Sequence, residues 1–297
     1  MRKRTQFGLT IAALVMLGLQ SSASAPMPEG FVGSFLWTIA DTRFGGLSGI
    51  EVDETGARFT AISDRGNFFE GILSRDAEGR IDGVTDVVVT PITGRDGGRL
   101  RKGRVDSEGL AIGPGGIYVS MEGPAQVFRF KSLTGGGKAL QRAEAFKTMQ
   151  RNSSLEALAV NADGTLFTLP ERSGRQDQPF EISRYRHGVW DHPFSIPRSG
   201  EFLPTAADFG PDGRLYILER EFHGLLGFQS RVRRFVMTGD SIDAGQVVLE
   251  TAVGQHDNLE GLSVWRDGGA KLRMTMISDD NFRFFQSTQI VEYAVPD

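Results

Sequence analysis

The chain has 297 residues, no cysteine, and 33 lysines and arginines against 37 aspartates and glutamates, a formal net charge of −4. Disulfide and thiolate chemistry are therefore absent. An acidic body also excludes nucleic acid or an anionic membrane as the main partner, because both are held through an excess of Lys and Arg.

The first residues, Met1-Arg-Lys-Arg4, are basic, Phe7 to Leu19 are almost wholly apolar, and Ser21 to Ala25 are small. This is the three-part pattern of a secretory signal, and its apolar run falls short of the ~20 residues that a spanning helix needs. Ala23-Ser24-Ala25 offers the cleavage motif, and a cut after Ala23 also fits because Pro26 follows directly. Residues 1–25 are expected to be removed on export to the periplasm or the exterior, and residues 26–297 to fold as a single domain. Loss of Arg2, Lys3 and Arg4 removes no acid and leaves 30 basic residues against 37 acidic ones, a net charge of −7. No later stretch is apolar enough to cross a bilayer. A body of this size buries a core large enough to hold without staples.

Phe31 to Ile39 reads as a strand that belongs to no local hairpin. One pattern then recurs five times: an apolar strand, a Gly-containing turn, and a second apolar strand ending in an acid. The copies are Gly46–Val52 with Phe59–Asp64, Ser107–Ile112 with Ile117–Glu122, Ser154–Val160 with Leu166–Glu171, Thr205–Phe209 with Leu215–Glu219, and Leu259–Val264 with Leu272–Asp279. Turns such as Asn161-Ala-Asp-Gly164 carry the residues a tight reversal needs. Each copy is followed by two more β-rich stretches, for example Gln126–Phe130 then Glu144–Lys147, and Arg231–Met237 then Gln246–Glu250. Four strands per unit make the blade of a β-propeller. The chain is thus expected to be all-β, a propeller of five blades, with a sixth compatible with the long first interval. The fifth unit has three strands, ending in Gln289–Val295, and Phe31–Ile39 would supply its fourth, closing the ring and removing exposed edges. The basic, Gly-rich run Thr93–Arg104 reads as a loop before the second blade.

The first two strands of a unit are antiparallel, so the start of the first and the end of the second share one face. With the first strand innermost, Glu108, Glu156 and Glu260 ring the axial mouth, and Ser48 and Thr205 hold the equivalent places in the other two blades. Asp64, Glu122, Glu171, Glu219 and Asp280 form a wider ring. Carboxylates gathered in a concave mouth repel one another and raise some of their pKa values unless cations compensate. Arg65, Arg172 and Arg220, which follow Asp64, Glu171 and Glu219, are one compensator, and a hard divalent ion with several oxygen ligands is another. The plainer reading is that these acids satisfy backbone N–H groups at strand ends and bind neighbouring arginines. Ser48 lies in Gly45-Gly-Leu-Ser-Gly49, which lacks the spacing and strand-turn-helix setting of a nucleophile elbow. His187, His192, His223 and His256 lack zinc-ligand spacing.

Phe44–Gly49 with Ser63-Asp-Arg-Gly66, Val105-Asp-Ser-Glu-Gly-Leu110, Asn258-Leu-Glu-Gly-Leu262, and Ser278–Phe282 followed by Gln286–Gln289 resemble the phytase-like family, whose members are described by an esterase-like activity of phytase. The likeness runs over nearly the whole mature chain. It implies a secreted propeller with esterase or phosphoester hydrolase activity. The expected function is metal-assisted hydrolysis of a small anionic phosphate or other ester. Glu108, Glu156, Glu260 and Asp280 would hold a divalent ion, calcium foremost, with Glu108 and Glu260 as catalytic groups. Arg65, Arg172 and Arg220 would hold the anionic group by forked hydrogen bonds, and Asn281 would orient it. Two other readings stay open: a non-catalytic propeller that binds a ligand or partner protein at this face, and a calcium-dependent, lactonase-like enzyme. The oligomeric state is open as well.

Overall fold

A computed structural model describes residues 25–100, 105–149 and 154–296. The signal segment, apart from Ala25, and the end of the basic loop lie outside the described residues. The architecture is five four-stranded antiparallel sheets in a ring, a five-bladed β-propeller. Blade 1 runs from its inner to its outer strand through Leu47–Val52, Arg58–Ser63, Asn67–Arg75 and Ile81–Pro91. Blade 2 comprises Ser107–Gly113, Gly116–Met121, Gln126–Phe130 and Lys138–Ala139. Blade 3 comprises Leu155–Val160, Leu166–Pro170, Phe180–Arg186 and Val189–Ile196. Blade 4 comprises Leu203–Phe209, Leu215–Phe222, Phe228–Phe235 and Gln246–Glu250.

Blade 5 is built from Asn258–Arg266, Leu272–Asp279 and Gln289–Ala294, and its fourth strand is Phe31–Leu36 from the other end of the chain. Phe31 lies opposite Tyr293 and Leu36 opposite Gln289, so the terminal strands close the ring as expected. Phe31 also meets Tyr293 edge-on at 5.3 Å. Closure matters because it pairs a strand edge that would otherwise invite association.

Each blade has neighbours on both faces, so both sides of its strands are apolar. The core accordingly divides into five clusters, one per junction between blades. Leu215 and Ile217 pack toward blade 3, while Tyr216 and Leu218, the alternate residues of the same strand, pack toward blade 5. Blade 2 departs from expectation at its outer edge. Glu144–Lys147 does not form a strand: Ala145–Lys147 is one turn of 3-10 helix, and the fourth strand is only Lys138–Ala139. Packing decides this, since the turn buries Phe146 and brings its ring edge-on to Trp190 at 4.9 Å.

Along the axis the ring is plugged. Leu110, Leu158, Ala206 and Leu262 from four inner strands enclose a void of only about 10 Å³, room for about one water. The acidic face is therefore a blind cup with an apolar floor. Gly109 permits that closeness, because a Cβ there would stand 2.6 Å from the Glu156 carbonyl oxygen and 2.7 Å from the Leu158 Cβ.

Candidate functional site

Every blade carries a register shift at the same place, between the inner strand and its neighbour. The shifts fall at Leu47/Gly49, Ser107/Leu110, Leu155/Ala157, Pro204/Ala206 and Leu259/Gly261. A β-bulge leaves one residue unpaired and re-aims its side chain. The residues inside the five shifts include Ser48, Glu108, Glu156, Thr205 and Glu260. The innermost ring expected from the sequence is thus a ring of bulge residues, and in blades 2, 3 and 5 each is followed by a small residue and then by the leucine that plugs the axis.

The five positions divide into two kinds. Ser48 and Thr205 are buried clips: the Ser48 hydroxyl donates to the Ser107 carbonyl of blade 2 at 2.6 Å, and the Thr205 hydroxyl faces the Leu259 carbonyl of blade 5 at 3.4 Å. Glu108, Glu156 and Glu260 point into the cup and sense one another. Burial first, then repulsion from Glu156 and Glu260, pushes the Glu108 carboxyl well above its ordinary pKa. Burial, followed by Glu171 and Glu260, does the same to Glu156. Among the described residues no backbone N–H or guanidinium donates to either. At the far end of the axis burial also raises the pKa of Glu51 and Asp208, and the difference there lies in their hydrogen bonds. There Glu51 and Asp208 accept backbone N–H bonds from Ile112 at 3.2 Å and Val264 at 2.6 Å, the structural use of strand-end acids.

The second ring is formed by the residues that follow the register partners: Asp64, Glu122, Glu171, Arg220 and Asp279. Burial and repulsion from Asp106 bring Asp64 to about 7, burial and Asp106 bring Glu122 to about 7, and burial and Glu260 bring Asp279 to about 8. Two members differ from the sequence expectation by one residue. Glu219 turns away from the mouth and lies buried between Arg231 and Arg233 of the next strand, at 2.8 and 2.5 Å. Arg220 takes its place. Its guanidinium bonds to Glu260 and Asn258 and stands 3.5 Å from Glu171. Burial opposes the Arg220 charge, but Glu260, Glu156 and Glu171 outweigh it and raise its pKa. Asp279 likewise faces the cup where Asp280 was expected. Asp280 holds the closure instead: its Oδ1 accepts the N–H groups of Gly46 and Phe282 at 2.9 Å each. In both cases the cause is the two-residue period of a strand, in which a slip of one flips the side chain.

Arg65 and Arg172 lie at the rim. The Arg65 guanidinium stacks over Phe282 at 3.1 Å, and Arg172 is largely exposed with its Nε 3.4 Å from Glu171. Asn281 is exposed in the left-handed region at φ 48°, its N–H donating to Asp279 at 2.6 Å. Asp106 is the site residue that the sequence reading missed. Asp106, Glu108 and Glu122 each offer a carboxylate oxygen, and these oxygens lie within 4.8 Å of one another. The available signal was proximity, since Asp106 stands two residues before Glu108, directly ahead of the inner strand.

The family described by esterase-like activity of phytase matches residues 42–282. The chain belongs to the phytase-like family. A comparison with curated proteins finds no significant match. Among solved structures, the chain is similar to an α-L-arabinofuranosidase from Podospora anserina, with 12% identity, 91% of this chain and 99% of that chain covered, and a TM-score of 0.52. It is also similar to a gluconolactonase from Xanthomonas campestris, with 14% identity, 84% and 72% covered, and a TM-score of 0.45. A calcium-binding protein, regucalcin, from Agrobacterium tumefaciens gives 12% identity, 84% and 75% covered, and 0.47. At such identities the likeness concerns the fold alone.

Proposed function

We propose that this phytase-like propeller is an exported hydrolase of esters, cyclic esters included, that works with a divalent cation at the acidic cup. The observation that carries this reading is the charge balance. Asp64, Asp106, Glu108, Glu122, Glu156, Glu171, Glu260 and Asp279 gather over an apolar floor, with Arg220 the one interior cation of the cup among the described residues. A hard cation fits this set, because every donor is oxygen and three of them already converge. Asp106, Glu108 and Glu122 would hold it, with Glu156 beside them, and calcium is the first candidate. When bound there, such an ion supplies Lewis acidity and a more acidic water.

The chain's own residues supply the rest. Burial and repulsion push the Glu156 carboxyl well above its ordinary pKa and so favour its protonated form, which can donate to a departing alkoxide. Asp64, brought to about 7, can take and return a proton at working pH. Arg220 fixes Glu260 and presents a forked donor to the acyl or phosphoryl oxygens. The apolar floor lowers the local dielectric and strengthens each of these interactions.

The test combines metal analysis of the purified mature protein with a screen of chromogenic phosphate and carboxylate esters. Turnover that chelation abolishes and calcium restores is the expected result. Full turnover after chelation would overturn the metal, and ligand binding without any turnover would overturn the enzyme.

A further inference from the structure

Beside the cup lies a second concavity that the hydrolytic reading does not use. It is a groove of about 600 Å³ between the loop at residues 223–227 of blade 4 and the loop at residues 280–288 of blade 5. Its walls are apolar and open to water: Phe222 is 66% exposed, Leu225 108%, Leu226 73% and Phe285 66%. Large side chains contributing so little to the core have no folding reason to cluster, and exposed patches of this kind mark binding surfaces. Phe222 and Phe228 meet at 5.0 Å with their rings tilted by 40°, and form one wall.

The groove adjoins the cup at Phe228. The Arg220 guanidinium that bonds to Glu260 also faces the Phe228 ring at 5.8 Å. Both walls are tied down in the same way. Gly254 N–H donates to the Phe228 carbonyl at 2.8 Å, and Asp257 accepts from Gln286 and from the Ser287 N–H at 3.0 and 2.7 Å. The volume falls in the ordinary range for small-molecule pockets, and its tied walls reduce the ordering cost of binding. Charge selects the occupant further, since the eight carboxylates next door oppose a polyanion.

Resting on the ester-hydrolase reading, we propose that this groove is the subsite for an apolar group of the substrate, which is an ester carrying one medium-chain or aromatic group rather than an inositol polyphosphate. The ester function lies at Arg220 and Glu260, and the apolar group runs along Phe228, Phe222, Leu226 and Phe285.

The experiment measures kcat/KM for 4-nitrophenyl acetate, butyrate, hexanoate and octanoate with the mature protein and with the Leu225→Asp/Leu226→Asp variant, whose changes fall on an exposed turn. Binding of 1-octanol, uncharged and unreactive, is measured by calorimetry on the same proteins. The expected result is a rise of roughly fourfold per methylene that enters the groove, lost in the double variant together with octanol binding. Val189→Asp, at an apolar position on blade 3 that is 61% exposed, should keep both. An equal chain-length slope in wild type and double variant overturns the subsite. If no ester is turned over by any protein, the hydrolase reading fails, and octanol binding alone decides: loss in the double variant upholds an apolar-ligand groove, and unchanged or absent binding overturns it. Self-association that the double variant abolishes, without any chain-length effect, assigns the patch to a second copy of the chain and overturns the proposal.

Discussion

Glu122 offers the sharpest test of the electrostatic argument, because replacing it by Gln keeps the volume and removes only the charge. In the folded chain burial and Asp106 raise its pKa from 4.5 to about 7. A carboxyl whose folded pKa is raised binds its proton more tightly in the native state. Its native-state penalty is therefore absent below pH 4.5, grows as pH rises through the window from 4.5 to about 7, and is constant above it. The full rise corresponds to about 3 kcal/mol. Asp106 and Glu171 share the repulsion on Glu122, so removing one charge relieves only part of it, which reduces the effect of one substitution to about 1–3 kcal/mol. For a body of this size that is a gain of about 2–10 °C in Tm at pH 8 for Glu122→Gln over the unmodified metal-free protein, shrinking to nothing near pH 4.5. The assay is thermal unfolding followed by circular dichroism from pH 4.5 to 8, with and without calcium. Calcium should reverse the order at pH 8, because the variant has lost a ligand oxygen. A Tm difference that stays the same at pH 5 and pH 8 would refute the reasoning, since a hydrogen-bonding or packing role for Glu122 has no such pH window.

Three further outcomes follow from the same geometry. Glu219→Ala leaves Arg231 and Arg233 buried without their shared carboxylate, and should cost about 3–5 kcal/mol in denaturant unfolding, while Glu219→Gln should cost less. Gly46→Ala places a Cβ against the Asp64 carboxylate and the Phe282 ring at a residue with φ +63°, so it should lower both stability and cation affinity. Glu108→Gln should weaken the calcium-induced rise in Tm without lowering metal-free stability, and a calcium shift as large as that of the unmodified protein would remove Glu108 from the site.

Much of this molecule is written locally. Alternating apolar residues and Gly turns define strands whose two faces are both buried, and five copies of one pattern can satisfy those faces only by stacking in a ring. The unpaired strand at Phe31 and the incomplete last unit likewise imply closure. Even the inner acids are legible, because Glu108, Glu156 and Glu260 precede a small residue and an axial plug in equivalent places. Other features needed the folded chain. The sequence places an acid at Glu219 and Asp280, but the actual strand ends and register turn Arg220 and Asp279 toward the cup instead. Glu144–Lys147 has strand-like composition, yet the space beside Trp190 makes it a turn. The raised pKa values, the convergence of Asp106 on Glu122 and the apolar groove all arise between segments distant in the chain. Periodicity follows from sterics between neighbouring residues, which a sequence displays, whereas charge coupling and shape depend on separations across blades that exist only once the ring has closed.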